Sequence, residues 1–161
     1  MKKYSYVGKG VPRIDAFEKV TGTAQYTADL RLPGMLHAKL LKSPHAHARI
    51  LRIDTNEAEK LTGVRAILTG KEIPYKFGIY MQDKEVLAQE NVHHVGEPMV
   101  AVAADTEEIA EQAVELIKVE YEELPPIFDV REAWKEGVSL VHEHLHKYKH
   151  APFIFPKPHT N

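Results

Sequence analysis

The chain has 161 residues, of which 43% are hydrophobic, so it is long enough to form one domain with its own core. Its formal net charge is −2 and no basic run is interleaved with aromatic residues, which excludes the usual electrostatic basis for binding nucleic acid or an anionic membrane. Because it contains no cysteine, disulfides, thiolate zinc sites and cysteine-ligated iron–sulfur clusters are excluded within these residues.

The first 34 residues are predicted to be extended and rich in turns, with a short strand over residues 24–27. Two lysines at the N-terminus precede no apolar segment, so no signal peptide is predicted. No apolar run approaches the roughly 20 residues of a membrane span, and we expect a cytoplasmic chain. Four charged side chains are interpreted as a solvated cluster: Arg13, Asp15, Glu18 and Lys19.

Alternating polarity predicts a strand over residues 35–42, with Leu36, Ala38 and Leu40 on one face. Residues 49–69 are predicted to form a strand, a short helix and a second strand. Residues 70–94 are predicted to be irregular. A loop of this length in a compact domain usually has a function, such as covering a surface or docking a partner.

The most strongly patterned stretch covers residues 95–130. Residues 98–104 form an apolar run typical of a strand buried on both faces. Asp105 and Glu108 have the spacing of a capping box, which predicts that a helix begins at Asp105. The apolar stripe of this helix is Ile109, Ala113 and Ile117, and strand alternation follows from residue 118.

These elements predict an α+β fold with a mixed sheet and two short strand–helix–strand units, at residues 49–69 and 98–123. No glycine-rich phosphate-binding turn follows any predicted strand. We expect a domain over residues 1–137, ending in a short helix, and an extended tail or linker over residues 138–161. Apolar residues in this tail predict either docking on another surface or folding back onto the domain.

Histidines supply the candidate chemistry. His45 and His47 would share a face in an extended segment, but no carboxylate near them in sequence would fix their tautomers, so a structural role is favoured over a metal site. His142, His144 and His146 would share a face in a strand and are the candidate metal ligands. Their spacing does not match H-E-x-x-H. No catalytic and no cofactor-binding residue is predicted.

Several ordered motifs resemble the start of the molybdenum-binding large subunit of the xanthine dehydrogenase/aldehyde oxidase family. The matching segments are Asp15 with Lys19–Gly22, Tyr26 with Asp29, Leu32–Ala38, Ser43–Ile50, Val95–Asp105 and Val119–Pro125. Lys42 stands where the family has arginine, and Met99-Val100 where it has valine-alanine. Within the family, residues 73–80 look most similar to alpha-type subunits of 4-hydroxybenzoyl-CoA reductase.

The resemblance implies the α/β hammerhead domain that begins these subunits. It also implies a parent complex with molybdopterin, iron–sulfur clusters and FAD, and none of these cofactors in this chain. The implied partners are the downstream molybdopterin-binding domains and the flavin and iron–sulfur subunits. The family's pterin-contacting segments and its glutamate base lie downstream of the matched motifs, so no catalytic residue is carried over.

Three hypotheses follow. The first is a non-catalytic structural and assembly domain of a molybdenum hydroxylase large subunit, which would self-associate when isolated if its partner surface is exposed. The second is a stand-alone metal-binding module that uses His142, His144 and His146. The third is a small enzyme with a pocket around residues 70–94.

Overall fold

The computed structural model describes residues 4–157. Within that range, the residues up to Met35 and those from Leu36 onward form two separate compact units. The predicted boundary between residues 137 and 138 stays a prediction, and residues 158–161 of the predicted tail, including His159, lie outside the described residues.

The N-terminal unit contains a helix, α1 (Ala16–Thr21), and a 3-10 turn (Thr27–Asp29). Helix α1 ends because Gly22 adopts a left-handed φ of 72°. The predicted strand over residues 24–27 is wrong. The Tyr26 N–H donates to Asp29 Oδ2 at 2.9 Å, and this local bond closes the 3-10 turn in place of a strand.

The second unit alternates strands with short helices, and most predicted elements are confirmed within one or two residues. In chain order they are β1 (His37–Lys42), β2 (Ala48–Asp54), α2 (Asn56–Glu59), β3 (Val64–Thr69), β4 (Lys76–Phe77), β5 (Lys84–Glu85), β6 (Asn91–Val92), β7 (Pro98–Ala104), α3 (Glu107–Leu116), β8 (Lys118–Glu123), α4 (Val130–Ala133) and a 3-10 turn (Leu145–Lys147).

The strands form two three-stranded sheets, ordered β1-β7-β3 and β6-β2-β8, and a two-stranded β4-β5 pair. Both strand–helix–strand units cross between the sheets, since β2 is followed by β3 and β7 by β8. The two strands of a unit therefore do not pair in parallel, and the pairings found in the described part of the chain are antiparallel. The α+β class with two such units is confirmed, and the strands predicted as a mixed sheet occupy separate antiparallel sheets.

The core cluster joins β7 and α3 to Ala48 of β2, Ala58 of α2 and Val92 of β6, and side chains of β8 pack against it. Met99, Val100 and Val102 of β7 are fully buried, as are Ala110 and Ala113 of α3. The small alanines let the helix approach the strand closely, and α3 contacts both β1 and β7.

The inner side of β1 carries two polar residues beside the apolar Leu41. Its polar residues His37 and Lys39 face α3, and Lys39 Nζ forms ion pairs with Glu107 at 2.6 Å and Glu111 at 2.7 Å. Leu40, from the predicted apolar face, is 44% exposed. Leu41 packs against the core from the same side as Lys39, so Ala38 and Leu40 lie on the side away from the helix.

The predicted capping role of Asp105 is wrong. Thr106 is the N-cap of α3, and its Oγ1 accepts from the Ile109 N–H at 3.3 Å. The Asp105 carboxylate instead accepts both arms of the Arg65 guanidinium, at 2.7 and 2.8 Å. Arg65 comes from the neighbouring strand β3, and it lowers the pKa of Asp105 below its ordinary value.

Residues 70–94 are less irregular than predicted, because they contain β4, β5 and β6. The described part of the tail pairs with this segment. The Gln82 N–H donates to the Lys149 carbonyl and the Ala151 N–H donates to the Tyr80 carbonyl, each at 2.8 Å. No helix within residues 4–157 has the length and apolarity that crossing a membrane requires.

Candidate functional site

The two sequence motifs at residues 43–50 and 95–105 are joined at their first residues. The Ser43 N–H donates to the Glu97 carbonyl at 2.9 Å, and the Gly96 N–H donates to the Ser43 carbonyl at 2.8 Å. Ser43 is 3% exposed, and its Oγ accepts from the His45 N–H at 3.0 Å. Burial of these backbone groups is tolerated because each has a partner.

A row of three histidines, His47, His93 and His142, lies next to this junction. The antiparallel register pairs Ala48 with Val92, which places His47 opposite His93. Their ring centroids lie 6.2 Å apart with the planes stacked at 22°. His142 extends the row from the tail, with its ring centroid 5.4 Å from that of His93.

Each ring in the row has a distinct polar neighbour. His47 Nδ1 lies 3.0 Å from the Pro125 carbonyl, so Nδ1 carries the proton there, since a carbonyl only accepts. His93 Nδ1 lies 3.4 Å from Glu97 Oε2, which also accepts the His93 N–H. His142 Nδ1 lies 3.5 Å from the Tyr148 hydroxyl.

Two groups of the row and its surroundings, Glu97 and His142, have shifted pKa values. Burial alone would raise the pKa of Glu97, but the hydrogen bonds from His93 outweigh burial and lower that pKa below its ordinary value. Burial lowers the pKa of His142, and the neighbouring His93 lowers it further. The row therefore forms a set of polar contacts between the β6-β2-β8 sheet and the tail.

The structure regroups the histidines that the sequence had paired. His45 does not share an environment with His47, because its ring contacts Tyr121 at 4.6 Å and its Nδ1 lies 3.6 Å from Glu123 Oε1. The carboxylate that is missing near His45 in the sequence is thus supplied by β8. His93 and Glu97 were not singled out by the sequence analysis, since only the register of β6 with β2 brings them to the row.

The predicted trio of metal ligands is divided between two places. His142 joins the row, whereas His144 and His146 line an open hollow of about 600 Å³ in the tail. His146 Nδ1 is buried and has no hydrogen-bond partner among the residues described. No group of three or more histidine, aspartate or glutamate side chains in residues 4–157 is arranged to hold a metal ion.

A second hollow, of about 350 Å³, lies beside α2. It is lined by Asp54, Asn56, Glu57, Lys60, Leu116 and Lys118. Three of its four charged side chains are in ion pairs, since Lys60 Nζ lies 2.7 Å from Glu57 Oε1 and Asp54 Oδ2 lies 2.9 Å from Arg52. Residues 70–94 line neither of these two hollows.

Large apolar side chains are exposed on the segments after β8 and on the loop before β5. Trp134 is 88% exposed and Phe128 is 85% exposed, although both flank the short helix α4. Ile79 is 92% exposed in the loop, and Phe155 is 82% exposed in the tail. The described segments after β8 thus carry large apolar side chains that the rest of the described chain leaves exposed.

Known proteins resemble this chain over most of its length. The family model described as aldehyde oxidase and xanthine dehydrogenase, a/b hammerhead domain, matches residues 21–125. The chain is 45% identical over 133 residues to a probable xanthine dehydrogenase subunit of Bacillus subtilis (strain 168), covering 81% of this chain and 18% of that protein. It is 36% identical over 156 residues to the nicotinate dehydrogenase large molybdopterin subunit of Eubacterium barkeri, covering 94% of this chain and 37% of that protein.

Among solved structures, the Cu,Mo-CO dehydrogenase in its carbon monoxide reduced state superimposes with a TM-score of 0.83 at 32% identity. That match covers 94% of this chain and 20% of the other. The chain therefore spans less than two fifths of the length of each of these three relatives. The resemblance to 4-hydroxybenzoyl-CoA reductase stays a prediction.

Proposed function

The chain belongs to the aldehyde oxidase and xanthine dehydrogenase family, and from that premise we propose that its hammerhead domain is a structural and assembly module without chemistry of its own. The observation that carries the proposal is the exposure of Trp134, at 88%, together with Phe128 and Phe155. Side chains of this size contribute most of their stabilisation when a partner surface covers them.

The donor chemistry of this chain does not fit the cofactors of such a complex. Iron–sulfur clusters need cysteine thiolates, and the chain has none. The hollow beside α2 is lined by two carboxylates and two lysines, and Lys60 is already paired with Glu57, so the lining has no excess positive charge for the phosphate of a molybdopterin. The hollow in the tail is open, and His142 of the predicted trio lies in the histidine row, away from the other two. No reaction step is therefore assigned to residues of this chain.

The parent complex in this proposal is a cytoplasmic molybdenum hydroxylase. Molybdopterin is held by the remainder of the large subunit, in keeping with the name of the Eubacterium barkeri relative, which is a large molybdopterin subunit. Iron–sulfur clusters and FAD belong to partner subunits. The hammerhead domain contributes a folded body whose exposed apolar segments pack against the molybdopterin-binding part.

A chimera tests the proposal. In the Bacillus subtilis relative, the segment that this chain matches is replaced by the chain itself, and turnover is measured for the chimera and for the isolated chain. We expect a soluble, active chimera and no turnover by the isolated chain. Substrate oxidation by the isolated chain, or a soluble chimera that retains cofactor but has lost activity, would contradict a purely structural role.

A further inference from the structure

The outer faces of the two three-stranded sheets have opposite chemistry. On the β6-β2-β8 sheet, the register places Arg49 opposite Glu122 and Arg52 opposite Glu120. Arg49 Nη1 lies 2.6 Å from Glu122 Oε2. This face has the cross-strand charge pairs of a surface that stays in water.

The outer face of the β1-β7-β3 sheet has two cross-strand rows of apolar residues instead. Register places Ala101 between Leu40 and Leu68, and Ala103 between Ala38 and Ala66. Cross-strand partners share a face, so these six side chains form one surface opposite α3, here called the alanine–leucine face. Leu40 is 44% exposed and Leu68 is 40% exposed.

On β1 the outward side carries Ala38 and Leu40, whereas the inward side carries His37 and Lys39 beside Leu41, which packs against the core. Lys39 lies on the α3 side, only 31% exposed, and is held there by Glu107 and Glu111. An antiparallel strand with one wet face normally has polar residues on its outer side. Apolar residues on the outer side of β1 are expected where a second surface covers the sheet.

We infer that the alanine–leucine face is the surface on which the remainder of a molybdenum hydroxylase large subunit packs, an inference that rests on the proposed function. The chain spans 20% of the CO dehydrogenase chain that it superimposes on, so most of such a subunit lies beyond the matched segment. The face has no charged side chain among its six residues, so its occupant presents apolar groups as well. The four alanines leave room for that surface to approach the sheet backbone closely.

The size of the face favours the same polypeptide as occupant over a second copy of this chain. A stable interface between separate proteins contains roughly 20–30 residues a side, far more than these six. A segment joined covalently to its partner binds at a high effective concentration, so a small face is sufficient.

Thiol reactivity tests the inference directly, because the chain has no cysteine of its own. Leu40→Cys places a thiol on the alanine–leucine face. Leu51→Cys is the matched control, since Leu51 is 57% exposed on β2, between the charge pairs of the other sheet. Each variant is labelled with a small alkylating reagent in the isolated chain and in the Bacillus subtilis chimera, and the modified peptide is quantified by mass spectrometry.

In the isolated chain both thiols are expected to react at similar rates. In an active chimera we expect the Leu40→Cys thiol to react at least about tenfold more slowly, with the Leu51→Cys rate unchanged. An active chimera in which the Leu40→Cys thiol stays fully reactive overturns the inference and leaves the proposed function standing. Equal protection of both thiols also overturns it, since protection would then not be specific to the alanine–leucine face.

An inactive chimera with no protection of either thiol counts against the proposed function and, with it, the inference. If the chimera does not fold, the isolated chain is mixed with the relative that lacks the matched segment, and the same two thiols are compared. Leu68→Cys is a second probe of the face. Protection of Leu40→Cys that depends only on the concentration of the isolated chain identifies a second copy as the occupant and overturns the inference.

Discussion

Truncation of Met99 measures how much stability depends on β7. Met99 is fully buried in the core cluster, and its Sδ accepts a hydrogen bond from the Tyr121 hydroxyl at 3.3 Å. Met99→Ala removes the thioether arm and leaves a cavity, which costs about 2–5 kcal/mol. The Tyr121 hydroxyl loses its partner, but Tyr121 is only half-buried, so water can reach it. We therefore expect a loss of about 3 kcal/mol.

Urea unfolding followed by circular dichroism gives this free energy by linear extrapolation. Met99→Leu is the matched control. It keeps the volume and removes only the sulfur, so a loss below about 1.5 kcal/mol is expected. A loss below about 1 kcal/mol for Met99→Ala, with an unchanged denaturant slope, would refute the assignment of Met99 to the core.

Three further changes test other parts of the structure. Thr106→Ala removes the N-cap of α3 and is expected to cost about 1 kcal/mol of unfolding free energy in urea, whereas Thr106→Ser restores most of it; equal stability of the two variants would contradict the cap. Gly70→Ala would place a Cβ 2.5 Å from the Ala88 carbonyl oxygen, so we expect a loss of about 1–3 kcal/mol by the same measurement, and no loss would show that this turn relaxes freely. Because burial lowers the pKa of His142 from 6.5, the unfolded chain binds more protons as the pH falls below 6.5, and stability decreases in that range. His142→Gln should flatten this part of the pH–stability curve. Identical curves for wild type and His142→Gln would contradict the burial of that ring.

Local sequence patterns predicted the elements whose signal is contained within a few residues. The apolar run of residues 98–104 is β7 as predicted, and the stripe of Ala113 and Ile117 faces the core. Both predictions are correct because burial on two faces and helical periodicity are visible in the pattern of nearby residues. Helix α1 was missed, because six residues with no buried side chain carry little periodic signal.

Partners distant in the chain explain the predictions that were wrong. Asp105 has the spacing of a cap, but Arg65 lies forty positions earlier and takes its carboxylate. No residue near Asp105 in the sequence indicates this ion pair. Because the Asp105 carboxylate is bound to Arg65, Thr106 caps the helix instead. The candidate site behaves in the same way, since His142 is grouped with His93 and not with its neighbours in sequence.

The sequence by itself determined the family, the α+β class and the position of the main strands and of α3, since these depend on local periodicity and on motifs in fixed order. Only the tertiary structure decided which face of β1 lies against α3 and which histidine rings contact one another. Period-two alternation cannot tell the inner face of a strand from the outer one when both carry apolar groups. On the side of β1 that faces α3, Leu41 packs against the core and Lys39 pairs with Glu107 and Glu111, which lie sixty-eight and seventy-two residues further along the chain.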